Sequence, residues 1–99
     1  MKKYETIVII DEKAIKDDGA AFLADFEKVI KKDFGGVIIE SEIMGRKQFA
    51  REIKRKKTGI YLDVVHEMDA DKVLSLRDKY KLNDTVLRLQ TYSYDRPEK

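Results

Sequence analysis

Arg46, Lys47, Arg51, Lys54, Arg55, Lys56 and Lys57 crowd twelve consecutive positions in which Glu52 is the only acid. Those twelve residues carry a net +6, whereas the whole 99-residue chain carries +2, so everything else sums to −4. A nearly single-signed run interleaved with Phe49, Ala50 and Ile53 is suited to docking on phosphates. Arginine within it can fork onto neighbouring phosphate oxygens in a way that lysine cannot. Such contacts give position and affinity rather than base readout, so RNA shape or a partner would supply specificity. Lys2 and Lys3 form a second, smaller basic point. The expected chemistry is electrostatic.

Other chemistry finds little support. There are no cysteines, which removes disulfides, thiolate catalysis and thiolate metal sites together. His66 is the only histidine. It falls in phase with Ile60, Leu62 and Val64, as a structural strand residue would, and it has no metal-ligand spacing around it. Asp69 and Asp71 sit where a helix should start, a position that favours negative charge without any catalytic role. The glycines form neither a P-loop nor G-x-G-x-x-G. The connection from Asp11 to Asp18 carries four acids and would repel a phosphate substrate. No enzyme, cofactor, metal or small-molecule substrate is expected.

Positioning that arm requires a scaffold, and the periodicities supply one. Tyr4 to Ile10 reads as a strand covered on both faces. Asp17, Asp18 and Gly19 give turn and cap chemistry. Phe22, Leu23, Phe26, Val29, Ile30 and Phe34 then recur at helical spacing until Gly35 and Gly36 stop the helix. Val37 to Ile53 reads as one long strand with Val37, Ile39, Ile43, Phe49 and Ile53 on a shared buried face, and with a bend or bulge at Gly45. Lys54 to Thr58, with Gly59 after it, makes a hairpin connection into a third strand over Ile60 to Met68. Asp69 caps a second helix through Val73, Leu76 and Tyr80, and Thr85 to Tyr92 is the fourth strand. The order βαββαβ predicts an α+β, ferredoxin-like domain: a four-stranded antiparallel sheet with two helices on one face. Right-handed crossovers put the first and third strands in its centre. The expected domain is 1–93, followed by a flexible tail over 94–99.

The sheet face away from the helices is the second expected surface. Tyr4, Tyr61, Val65 and Tyr92 are assigned to it as contacts for a protein partner. The longest apolar run, Ile7 to Ile10, is too short to cross a bilayer. No basic leader with an apolar core opens the chain, and a cytoplasmic protein is the expectation.

Several segments, taken in order, resemble a known family. They are Met1-Lys2-Lys3-Tyr4-Glu5, Gly45-Arg46-Lys47-Gln48-Phe49-Ala50, Ile53-Lys54, Gly59-Ile60-Tyr61 and Val86-Leu87-Arg88. Together, from Lys3 to about Ser93, they resemble the bacterial small-subunit ribosomal protein S six family. The resemblance implies a non-enzymatic component of the cytoplasmic ribosome. It would bind the central domain of small-subunit rRNA together with a small basic partner, ribosomal protein S eighteen. It further implies basic RNA contacts at Lys2, Lys3, Arg46, Lys47 and Arg88, beside those read from the arm. The family commonly has tryptophan where this chain has Met44, and a Tyr-Pro pair where it has Arg51-Glu52. The competing expectation is an off-ribosome ferredoxin-like protein-interaction or regulatory domain that self-associates through its sheet face.

Overall fold

A computed structural model of the chain describes residues 2–15 and 17–94. Strand β1 (Lys2–Ile10) leads through a short turn to helix α1 (Ala20–Lys28), whose last turn widens over Val29–Asp33. Strands β2 (Val37–Ile53) and β3 (Lys56–Met68) form a hairpin, followed by helix α2 (Val73–Tyr80) and strand β4 (Val86–Ser93). All pairings are antiparallel and the sheet order is β2-β3-β1-β4. The ferredoxin-like arrangement expected from the periodicities is the one observed, with β1 and β3 central.

Even-numbered residues of β1 and β3 point toward the helices. Val8, Ile10, Leu62, Val64 and Met68 meet Phe26, Ile30 and Leu76 in one buried cluster. Asp17 starts α1 by accepting hydrogen bonds from the N–H groups of Gly19 and Ala21, which satisfies donors a helix start leaves open. Asp69 stands at the corresponding place before α2 but its side chain makes no cap bond. The expected side-chain cap is therefore replaced by a backbone turn, with Lys72 N donating to Asp69 O at 3.0 Å.

The glycine pair after α1 has two distinct jobs. Gly35 takes a left-handed φ of 64°, and Gly36 N then donates to Ile30 O at 2.8 Å. A Cβ on Gly36 would stand 2.4 Å from Glu67 O, whereas one on Gly35 would meet nothing within 4 Å. Gly36→Ala is therefore expected to destabilise the fold by roughly 2–3 kcal/mol through overpacking against backbone. Gly35→Ala is expected to lose only about 1 kcal/mol through backbone strain. Urea denaturation of the two variants checks both size and order.

Strand β2 departs from the single buried face expected of it. The register with β3 shifts between Ile38 and Glu40 and again between Ile43 and Gly45. Each extra residue flips the side-chain alternation. Ile38 and Ile43 consequently pack on the core, while Val37 and Ile39 are exposed. The bulge foreseen at Gly45 is present, with φ of 96°. With no proline at positions 51 and 52, β2 extends to Ile53, although its register with β3 shifts once more between Gln48 and Ile53. The hairpin connection is also tighter than expected, because Ile53 already pairs with Lys56 across Lys54 and Arg55. Tyr94, assigned to the loose tail, donates its N–H to Lys3 O at 2.9 Å. The rest of that tail lies outside the described residues.

Candidate nucleic-acid interface

The hairpin arm is stiffened at its tip and pinned at its root. Lys54 and Arg55 have φ of 49° and 67°, the paired positive values that a two-residue hairpin turn demands. Neither residue is a glycine, so the turn stores strain. Arg55→Gly should raise stability by about 1 kcal/mol while removing one cation. A thermal melt measures the first effect, and an RNA titration the second.

At the root, the acidic connection after β1 grips the arm. Glu12 pairs with Arg46 at 3.1 Å and accepts from the Thr58 hydroxyl, while Asp11 pairs with Lys56 at 3.3 Å. The acids that argue against a phosphate substrate thus fix the direction of the cationic hairpin. Arg46 and Lys56 are already matched with carboxylates. Lys54 turns inward, its Nζ donating to Val86 O at 2.9 Å. Arg51, Arg55 and Lys57 are exposed, and they take no part in the ion pairs formed among the described residues. They are the cations the arm presents most openly.

The open sheet face joins the arm at its base. Lys47 lies opposite Gly59, and its Nζ stands 5.6 Å from the centre of the Tyr61 ring. Phe49 packs beside Tyr61, with ring centres 6.1 Å apart. Gly59 makes room for it, since a Cβ there would be 2.8 Å from Phe49 Cζ. Phe49 was expected on the buried face. The bulge at Met44 sends it to the open one, where it forms an aromatic pair beside the cations. Arg88 reaches the same face opposite Ile9, which in turn pairs with Tyr61.

The structure does not gather all the expected RNA contacts into one patch. Lys2 and Lys3 pair with Met68 and Glu67 at the far end of the sheet, whereas Ile10 pairs with Ile60 next to the arm. At about 3.3 Å per residue the two basic points lie roughly 25 Å apart. Between them the open face is lined by Glu5, Glu40, Glu42, Asp63 and Glu67.

The expected partner face also needs one correction. Tyr4 is 8% exposed and belongs to the core cluster, its ring centre 6.2 Å from that of His66. It shares parity with Val8 and Ile10, so it faces the helices. Tyr61, Val65 and Tyr92 do lie on the open face. Val65, however, is itself 8% exposed and offers little surface, whereas Tyr92 is 48% exposed.

His66 is a core residue, as its phase implied. Its Nε2 lies 2.8 Å from Thr6 Oγ1, which continues to Thr91 Oγ1 at 2.9 Å. Burial lowers its pKa from 6.5 to about 4, so the ring is neutral at physiological pH. Among the described residues no cluster of side chains could hold a metal ion, and no helix is long and apolar enough to cross a membrane.

Fold and surface together define a ferredoxin-like α+β protein with a cationic hairpin, tied at its root by ion pairs, on a mildly acidic body. The family model of ribosomal protein S6 matches residues 3–93. The curated "Small ribosomal subunit protein bS6" of Corynebacterium aurimucosum is 32% identical over 95 residues, covering 96% of this chain and 98% of the relative. The protein of the same description from an Arthrobacter species is 38% identical over 88 residues, covering 89% of this chain and 86% of the relative. The chain spans 61% of the length of the Prochlorococcus marinus relative, to which it is 24% identical. The crystal structure of 30S ribosomal protein S6 from Thermotoga maritima superposes with a TM-score of 0.84 at 26% identity, covering 93% of this chain and 86% of that one. The C-terminal domain of MgtC from Mycobacterium tuberculosis shares the fold alone, with a TM-score of 0.64 at 14% identity over 99% of this chain and 95% of that one.

The chain belongs to the ribosomal protein S6 family. It is a ribosomal protein and not an enzyme.

Proposed function

We propose that this protein is a structural constituent of the small subunit of the cytoplasmic ribosome, holding the central domain of small-subunit rRNA with its β2–β3 arm. The observation that carries the reading is the pinned hairpin, which presents Arg51, Arg55 and Lys57 beside the Phe49–Tyr61–Lys47 cluster. A rigid cationic ridge meets phosphates with little ordering cost. Aromatic side chains at its base can stack unpaired bases, as single-stranded RNA loops require. Lys2 and Lys3 would touch a second, separate RNA segment.

The open face is assigned to the small basic partner, ribosomal protein S eighteen. Tyr92, with Tyr61 where the partner borders the RNA, gives it aromatic contact area, and Glu5, Glu40, Glu42 and Glu67 give it a complementary charge. Titrating the full chain against a central-domain rRNA fragment over salt, with and without that partner, tests both assignments. Tight binding that requires the partner is the expected result. Weak binding indifferent to RNA identity and to the partner would overturn the reading. A stable homodimer broken by Tyr61→Ala would move self-association to the front.

A further inference from the structure

The opposite edge of the sheet holds a second candidate site, which borders the arm at Lys54 and the open face at Arg88 and Tyr92. A groove of about 680 Å³ runs between α2 and the outer edge of β4. Its floor is apolar, with Leu74, Leu87 and Leu89, and its walls carry the cations Lys54, Arg77, Lys81 and Arg88. Among the described residues no carboxylate lines it. Leu74 is 61% exposed, although it sits on a helix whose other apolar residues are turned inward.

Among the described residues no other strand occupies this edge, because β4 pairs with β1 alone. Tyr94 N donates to Lys3 O, in the same register that joins Tyr92 to Glu5 and Gln90 to Ile7. Hydrogen-bonded positions alternate along an antiparallel pair. Arg88, Gln90 and Tyr92 therefore turn their backbone groups toward β1, and Leu89, Thr91 and Ser93 turn theirs outward, along the groove. Strand β2, at the other edge, shifts register at three places, and such irregularities are one way proteins blunt an edge. The part of β4 beside the groove has no such defence, since its single shift falls at its start, by Ile10.

We propose that the β4 edge and α2 together take up an extended acidic peptide segment of another protein as a fifth strand. Leu89 and Thr91 would supply the main-chain pairing, which is how strand addition gains affinity. The apolar side chains of the segment would fill the floor beside Leu74, and its carboxylates, on the alternate positions, would face Arg88 on the open side within the positive field of Arg77 and Lys81. A free ladder edge favours a peptide over RNA, because phosphates need the cations but have no use for unpaired peptide groups.

The probe is a capped peptide alternating valine and glutamate, matched in length to the eight residues of β4, titrated into the full chain. Saturable binding is expected, with slowed amide exchange at Leu89 and Thr91, and no binding of the valine–lysine counterpart. Arg77→Glu with Lys81→Glu should weaken it roughly tenfold. Both side chains are exposed, Arg77 on α2 and Lys81 at its C-cap, and Leu74→Glu serves as an independent variant that places a repelling charge on the floor. Three results would overturn the proposal: no saturable binding, affinity unmoved by these substitutions, or an oligouridylate of equal length displacing the peptide from the same amides.

Discussion

Reversing Arg51, Arg55 and Lys57 to glutamate is expected to weaken binding to central-domain rRNA by roughly a hundredfold near physiological salt. It should also flatten the dependence of log K on log salt by about 2 to 3, since each phosphate contact contributes about 0.7 to 0.9 to that slope. The three side chains are exposed and lie outside the ion pairs among the described residues, so the fold should keep its stability within about 0.5 kcal/mol. Affinity and salt slope must fall together. A loss of affinity at constant slope would mean that the arm acts through shape and not charge. Reversal of Lys2 and Lys3, roughly 25 Å away by strand rise, should add its own loss independently.

The second large effect concerns stability and acid. His66 is fully buried, and its pKa falls from 6.5 to about 4 because burial opposes the charged ring. The unfolded chain takes up the proton first as pH drops. The stabilisation from keeping this ring neutral is complete above pH 6.5 and is lost as pH falls toward 4. Over that window the loss amounts to about 3 kcal/mol. Carboxylates titrate near its lower end too, so the informative quantity is the difference between the native chain and His66→Gln. Urea unfolding at several pH values should show a steeper decline in the native chain between pH 6.5 and 4. Parallel declines would mean that the buried ring takes up its proton without unfolding the core.

The order of elements was legible because each periodicity is local. The helical spacing from Phe22 to Phe34 and the alternation from Ile60 to Met68 need no knowledge of what packs against them. The long second strand was legible in extent but not in facing. Two inserted residues each reversed its alternation, and only Gly45 hinted at one of them. Tyr4 was misplaced because Ile7 to Ile10 are all apolar and conceal the parity of β1, yet its even spacing from Val8 and Ile10 held the answer. Phe49 had a signal in Gly59, the small residue its ring needs across the hairpin.

The arm shows the same division. Its charge could be counted from the chain, but its anchoring could not. Arg46 and Glu12 are far apart in sequence and meet only because β1 and β3 are paired, which brings the Asp11–Glu12 connection under the hairpin. The same pairing turns a cluster of acids into a support for a cluster of bases. Lys54, counted among the presented cations, is instead drawn to the Val86 carbonyl at the head of β4.

The absence of cysteine permits the most direct test of the central claim, that the β2–β3 arm holds the central domain of small-subunit rRNA. A single cysteine at Glu52, exposed on the arm, carries a tethered iron chelate that cleaves nearby RNA backbone. A second version carries it at Asp69, exposed beyond the far end of β3. Assembled with the rRNA fragment and the basic partner, the Glu52 probe should cut strongly and at a few clustered central-domain positions, and the Asp69 probe should not reproduce them. Strong cutting from Asp69 with none from Glu52 would contradict the account.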